Sequence, residues 1–155
     1  MQPLDEIGSI GSPTTVVYAT ELSTPAIIAG IRAGHVFIDL AGTRNRLLEV
    51  TARAGDKAVH MGDLLVAPEG ETVNFDMHVT AATGGTARWI EDGEGVALKT
   101  GVAVSSTDQS FSLAWVSDGR RHWFRAEVVG ADGKLWLLGN PVYVNWDISN
   151  QCGNS

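Results

Sequence analysis

Hydrophobic and polar residues alternate with a period of two through much of the chain after residue 45. The clearest run is VNFDMHVT, residues 73–80, in which valine, phenylalanine and methionine alternate with polar residues. The same alternation recurs in SFSLAW, residues 110–115, and in WFRAEV, residues 123–128. Because successive side chains of a strand point to opposite faces, these runs predict strands with one dry face and one wet face.

Residues 11–40 follow a different pattern, which predicts a strand, a helix and a second strand. TTVVY, residues 14–18, is rich in β-branched and aromatic residues, and so is HVFIDL, residues 35–40. The segment between them carries helix signals at both ends: Ser23 or Thr24 as the cap, Pro25 in the first turn and Gly34 as a left-handed stop.

Three isoleucines of this helix, Ile27, Ile28 and Ile31, recur at helical spacing on one face. The helix is only about ten residues long, and a helix of that length is marginal in water unless it packs against something. The pattern therefore predicts that the isoleucine face either covers a sheet of this chain or mediates self-association.

Turn signals separate the strands at short intervals: Gly84-Gly85, Asp92-Gly93, Asp118-Gly119 and Asp132-Gly133. Asp-Gly between strands favours a hairpin because tight turns need positive φ. Six to eight short antiparallel strands at this spacing predict a mainly β protein with a β-sandwich, and a closed barrel is the alternative. The chain divides into a strand-helix-strand segment, a sandwich and a flexible tail: residues 1–44, 45–147 and 148–155.

Composition and charge exclude several classes of protein. Eighteen acidic and eleven basic residues give a formal net charge of −7, which disfavours nucleic-acid binding. No apolar run approaches the roughly 20 residues of a membrane span, and residues 1–12 lack the pattern of a secretory signal. The single cysteine, Cys152, cannot form a disulfide within the chain, so the cellular compartment stays undecided.

The sequence contains no recognisable catalytic or metal-binding motif, so we predict no catalytic residue, no metal ligand and no cofactor in this chain. Its four histidines form no HxH or HExxH pattern, and neither CxxC nor GxSxG occurs. Asp76 and His78 lie two apart on a wet strand face and could reach one ion, although solvated polar residues are expected there anyway. An enzyme would need Asp76, His78 or Glu91 to converge with another histidine.

Five tryptophans are many for a chain of this size: Trp89, Trp115, Trp123, Trp136 and Trp146. Trp115 falls on the apolar phase of its strand. Trp123 and Trp136 fall on the opposite phase from their hydrophobic neighbours, which makes them candidates for an exposed platform that binds sugar rings. Packing between the sheets is the alternative use of these side chains.

Three patches in order, IGSPTTVVYATELSTPAIIAGIRAGHVFI, HMGD at 60–63 and HWFRAEVVGADGKLWLLGNPVYVNW, carry a family resemblance. They resemble the C-terminal end of metallohydrolases of the PHP (polymerase and histidinol phosphatase) superfamily. The resemblance covers residues ~7 to 146. It implies the last stretch of a metal-binding barrel followed by an immunoglobulin-like β-sandwich, and it leaves open whether Met1 is the natural start.

The resemblance also implies where the chemistry of such a protein lies. The divalent metals of the parent barrel, zinc, manganese or iron, would be held by ligands that precede Gln2, so none transfers to this chain. The RAGH turn at residues 32–35 and the strand that contains Arg125 would face the barrel. Pairing with an acidic neighbour is the alternative role of Arg125.

The expected function is that of a non-catalytic accessory β-sandwich of a metal-dependent, phosphoesterase-like hydrolase. Its partner would be the missing barrel, or a second copy bound through Ile27, Ile28 and Ile31. The alternative is a free-standing module that binds carbohydrate or a partner protein through exposed tryptophans. Neither hypothesis requires nucleic acid or a membrane.

Overall fold

The computed structural model describes residues 12–95 and 101–146, which form two β-sheets and one α-helix. The predicted tail and Cys152 lie outside the described residues. No described helix has the length and apolar character needed to cross a bilayer. The elements in chain order are β1 (Thr14–Val17), α1 (Thr24–Ala33), β2 (Val36–Asp39), β3 (Leu47–Ala54), β4 (Lys57–His60), β5 (Leu64–Leu65), β6 (Thr72–Thr80), β7 (Thr86–Glu91), β8 (Glu94–Gly95), β9 (Val102–Ala103), β10 (Asp108–Val116), β11 (His122–Val129), β12 (Leu135–Gly139) and β13 (Val142–Val144).

The larger sheet has nine strands and the smaller sheet has four. The larger follows the order β1-β2-β12-β11-β13-β5, with β7 also paired to β11, and with β8 and β9 paired to β7. The smaller follows the order β10-β6-β3-β4. All of these pairs are antiparallel except β13 with β5. The predicted mainly β sandwich is confirmed, and its immunoglobulin-like character stays a prediction.

The core lies between the two sheets and is built from the alternating positions that the sequence indicates. Val73, Phe75, Met77 and Val79 of β6 are all fully buried. The ring of Phe75 lies 4.3 Å, centroid to centroid, from that of Phe124 in β11 of the other sheet. Burial of one face of each strand is the main source of the fold's stability, at about 25 cal/mol per Å² of apolar surface.

The predicted helix signals are confirmed at both ends of α1. The Ser23 side chain accepts a hydrogen bond from the backbone N–H of Ala26, and Gly34 takes the left-handed conformation at φ 75°. The side of α1 that contacts β1 is Gly30, not the isoleucine face. A Cβ at Gly30 would overlap the carbonyl oxygen of Tyr18, so only glycine allows this close approach. Of the three isoleucines, Ile27 is half-buried, whereas Ile28 and Ile31 are exposed.

The strand-helix-strand segment is part of the larger sheet. Strands β1 and β2 are antiparallel to each other, and β2 pairs in turn with β12 through Leu137 and Leu138. Residues 14–39 therefore extend the sandwich at the end of its larger sheet.

Two of the four turn signals form hairpins, and the other two connect the sheets. Asp92-Gly93 joins β7 to β8 and Asp132-Gly133 joins β11 to β12. Gly84-Gly85 and Asp118-Gly119 instead carry the chain from one sheet to the other, because β6 and β10 pair with each other rather than with the next strand. A turn signal is local, whereas the choice of strand partner is not.

Candidate functional site

Three separated segments, the RAGH turn, the HMGD segment and the NPVY segment, meet at one point of the fold. Asn140 Nδ2 donates a hydrogen bond of 2.8 Å to Gly34 O, and Gly62 N donates one of 2.7 Å to Pro141 O. A Cβ at Gly62, where φ is 91°, would overlap the carbonyl of Gly34. The two glycines therefore let the backbones of the strand-helix-strand segment and the sandwich touch, which fixes the position of α1.

One carboxylate ties the two histidines beside this contact to each other. Asp63 Oδ1 lies 2.8 Å from His35 Nε2, and Asp63 Oδ2 accepts a hydrogen bond of 2.9 Å from the backbone N–H of His60. The rings of His35 and His60 are 6.1 Å apart, centroid to centroid, and nearly perpendicular. Asp63 thus orients both residues toward the same side of the molecule.

A cavity of about 350 Å³ opens beside these histidines, between the strand-helix-strand segment and the smaller sheet. We call it the junction pocket. The residues that characterise its lining are Tyr18, His35, Glu49, Val50, His60 and Met61. The Tyr18 hydroxyl donates a hydrogen bond of 2.8 Å to Leu48 O. Burial, and secondarily the charge of Glu49, raises the pKa of Tyr18 to about 12, so the phenol stays neutral.

A second group, which we call the His122 cluster, consists of His122, Glu91, Asp92 and Asp118. His122 Nδ1 lies 2.5 Å from Asp92 Oδ2 and 3.2 Å from Glu91 Oε1. Its Nε2 lies 3.0 Å from both carboxylate oxygens of Asp118. The turn after β7, the loop before β11 and the start of β11 bring the four residues together.

The charges of the His122 cluster shift three pKa values. Burial alone would lower the pKa of His122, but the hydrogen bonds to Asp118 and Asp92 outweigh it and raise that pKa. The backbone N–H of Arg120 and the His122 ring hold the pKa of Asp118 below its usual value. Burial raises the pKa of Glu91, against the pull of His122. The carboxylates around His122 therefore favour its protonated, imidazolium form.

The same cluster is the one group among the described residues whose ligand atoms could converge on a metal ion. Glu91, Asp92 and His122 each offer one atom, and these atoms lie within 4.8 Å of one another. Both ring nitrogens of His122 already contact carboxylates, so an ion would have to displace the proton between His122 and Asp92. Neither nitrogen is open to accept a proton from a substrate.

Asp76 and His78 share the wet face of β6 but have different partners. Asp76 Oδ1 accepts a hydrogen bond of 2.6 Å from Ser112 Oγ. His78 Nε2 lies 2.7 Å from Asp108 Oδ1, and its Nδ1 lies 4.0 Å from Glu49 Oε2. Of the three residues that an enzyme would need to bring close to another histidine, Glu91 is the one that does so, beside His122.

The predicted binding residues Trp123 and Trp136 are both half-buried, and each has an arginine near its ring. The guanidinium of Arg46 lies 4.0 Å from the ring centre of Trp136, whose other contacts include Gly85 and Gly130. The guanidinium of Arg125 lies 5.3 Å from the ring centre of Trp123. A sugar that stacked on Trp136 would have to displace Arg46.

The remaining tryptophans range from buried to exposed. Trp89 is fully buried, Trp115 is half-buried, and Trp146 is exposed. The ring of Trp146 contacts Tyr143 edge to face at a centroid separation of 5.9 Å. The most exposed tryptophan is thus one that the alternation pattern did not single out, because it follows the last strand.

Arg125 is one of two arginines that bind a single buried carboxylate. Its Nε and Nη2 donate to Glu127 Oε1 at 2.9 and 2.6 Å, and Arg88 Nε donates to Glu127 Oε2 at 2.8 Å. The Glu127 side chain is only 4% exposed. Sequence reasoning missed Glu127 because its position alternates with buried hydrophobic residues and therefore suggests a solvated face.

Comparison with known proteins gives no family assignment. No family model matches the chain, and no curated protein matches it. Among solved structures, the chain is similar to the X-ray structure of Northeast Structural Genomics Consortium target SoR45. The identity is 11% and the TM-score 0.35, over 72% of this chain and 95% of that one.

Proposed function

We propose that this chain is a non-catalytic β-sandwich module that packs, through the exposed face of α1, against a metallohydrolase barrel of the PHP type. One observation carries the proposal: large apolar side chains are exposed on and beside a well-formed helix. Leu22 is 98%, Ile28 42% and Ile31 54% exposed. Large exposed apolar side chains grouped on one element are typical of an interaction surface.

The helix that presents these side chains is held firmly at both ends. Ser23 caps its N-terminus, and Asn140 binds the carbonyl of Gly34 just beyond its C-terminus. Gly30 packs against the backbone of Tyr18 between them. A helix fixed in this way loses little conformational entropy when a partner binds, which favours docking.

The shape and composition of the α1 face suit a protein partner. A shallow groove of about 650 Å³ runs beside Ile28, between Pro25 and Arg32. The partner we name is the barrel that the resemblance implies, because RAGH and the preceding segment belong to the patches that carry it. An alternative in which tryptophans bind carbohydrate has less support, since Arg46 covers Trp136.

The non-catalytic part of the proposal is supported by the state of the two histidine groups. Both nitrogens of His122 contact carboxylates, and His35 Nε2 contacts Asp63. Because both of its ring nitrogens are engaged, His122 has no nitrogen open to a substrate. The metal ligands that the resemblance implies would precede Gln2, so we assign no metal-dependent step to the described residues.

Site-specific photo-cross-linking in cells of the source organism tests this proposal. A benzoylphenylalanine replaces Ile31, and a matched control replaces Asp56, which is exposed in the turn between β3 and β4. We expect irradiation to link position 31 to a peptide of a PHP-type barrel, on the same polypeptide or on another, as identified by mass spectrometry. Position 56 should give no such link.

Two results would contradict the proposal. One is the absence of any cross-link that is specific to position 31. The other is a cross-link from position 31 to a second copy of this chain, which would make the α1 face a self-association surface.

A further inference from the structure

We propose that the junction pocket binds a small organic cation, a primary ammonium group attached to an apolar body. This goes beyond the proposed function and does not depend on it, because the pocket lies within the described chain. The apolar part would rest against Ala19 and the rings that line the pocket, and the ammonium would lie at Glu49 beside the ring of Tyr18.

The size and floor of the pocket suit an apolar body. Its volume of about 350 Å³ falls within the range of roughly 300 to 1,000 Å³ typical of small-molecule sites. Its accessible wall includes exposed Ala19 and the half-buried rings of Tyr18 and His35, whereas Val50 and Met61 are 0% and 2% exposed and lie behind that wall. An apolar group placed there leaves water without disturbing any polar contact.

The charge at the pocket favours a cation. Glu49 is 47% exposed, and within the described part of the chain its only ionic neighbour is His78, at 4.0 Å. That distance is too long for a hydrogen bond, so the carboxylate oxygens remain available to an ammonium donor. No lysine or arginine belongs to the lining, and the net charge of −7 attracts cations to the chain.

The face of Tyr18 adds a second attraction. Its hydroxyl already donates to Leu48 O, which holds the ring in place. A cation within about 6 Å of the centre of such a ring is attracted by the π electrons.

The walls of the pocket are preformed. Asp63 fixes His35 and the backbone of His60, and the contact between Gly34 and Gly62 holds the strand-helix-strand segment against the sandwich. Little ordering is therefore needed when a ligand enters, which is the condition for useful affinity in a site this small.

The test is a titration of the isotopically labelled chain at neutral pH, followed by amide chemical shifts. The probes are phenethylamine, its neutral analogue 2-phenylethanol and the anion phenylacetate. We expect phenethylamine to shift the amides of Ala19, Thr20 and Met61, all of which belong to the pocket lining, and to bind at least tenfold more tightly than 2-phenylethanol. Phenylacetate should produce no shift at these amides.

Charge-removing variants locate the cation. Glu49→Gln should weaken phenethylamine binding about tenfold, to the level of 2-phenylethanol, and leave 2-phenylethanol binding unchanged. Glu69→Gln removes the same charge from an exposed residue outside the pocket and should change neither affinity.

Several outcomes would overturn the inference. Equal affinity for the amine and the alcohol in the unaltered chain would show that charge does not contribute to binding. This comparison does not depend on the folding of any variant. Unchanged amine binding by Glu49→Gln would remove the role of Glu49. An absence of shifts at the pocket amides would remove the site.

Discussion

His122 is surrounded by more negative charge than one imidazolium can neutralise. Glu91, Asp92 and Asp118 all approach its ring, two of them within 3.0 Å. The backbone N–H of Arg120 and the His122 ring lower the pKa of Asp118, and the carboxylates of Asp118 and Asp92 raise the pKa of His122 against the effect of burial. Burial raises the pKa of Glu91, so its charged form is disfavoured.

The raised pKa of His122 makes its contribution to stability depend on pH. The folded state holds the His122 proton more tightly than the unfolded state, so the contribution is complete below about pH 6.5, the ordinary value for histidine. It is lost as the pH rises through the higher folded value. We therefore expect His122→Gln to lower the free energy of unfolding most near pH 5.5, and least near pH 9.

Urea unfolding at pH 5.5, 7 and 9 measures this difference. His60→Gln, which removes an exposed imidazole, controls for the loss of a histidine elsewhere. A destabilisation by His122→Gln that is constant over this range, or that grows with pH, would contradict the assigned network.

Glu127 shows what a sequence cannot reveal about a single residue. The pattern WFRAEV places Arg125 and Glu127 on the same wet phase of β11, and it predicts an acidic partner for Arg125. It does not reveal that Arg88 arrives from β7 and that the carboxylate is buried between the two arginines. Removing both arginines would leave this carboxylate buried and unpaired, which typically costs about 3–5 kcal/mol.

At the scale of elements, α1 was predicted with its caps, and its orientation was not. Caps depend on residues close in sequence, namely Ser23 and Gly34, so they can be read locally. Which face of α1 packs against the sheet depends on how closely the helix approaches β1. Gly30 allows that close approach because it has no Cβ. Of the two roles predicted for the isoleucine face, covering a sheet does not apply to Ile28 and Ile31, which are exposed, and self-association stays a prediction.

Gly30→Ala tests the close approach of α1 to β1. In an exposed helix this change stabilises by roughly 0.5–1 kcal/mol, because alanine restricts the unfolded chain. Here the new methyl group would overlap Tyr18 O, so we expect a loss of about 1–3 kcal/mol, as in other overpacked sites. Urea unfolding measures it.

Ala29→Gly, at an exposed position of the same helix, is the matched control. It should cost about 1 kcal/mol through helix propensity alone. Unchanged or increased stability of Gly30→Ala would show that α1 does not pack on β1 as described.

At the scale of the whole molecule, alternation and turn signals were enough to predict a mainly β sandwich. They were not enough to assign strands to sheets. β11 pairs with β7, β12 and β13, and β10 pairs with β6, about 30 residues away along the chain. The His122 cluster arises where β11 pairs with β7, and the junction pocket arises where the strand-helix-strand segment meets β3 and the HMGD segment, so neither could be predicted from local spacing.

The central proposal also concerns the whole molecule: the sandwich packs against a metallohydrolase barrel through the α1 face. The most direct test is the size of the native polypeptide, by immunoblot of source-cell extract with an antibody to this chain. The account predicts a denatured band well above 16.5 kDa, or a 16.5 kDa band that migrates with a PHP-type barrel protein under native conditions. A 16.5 kDa band that also migrates as a free monomer under native conditions would contradict it.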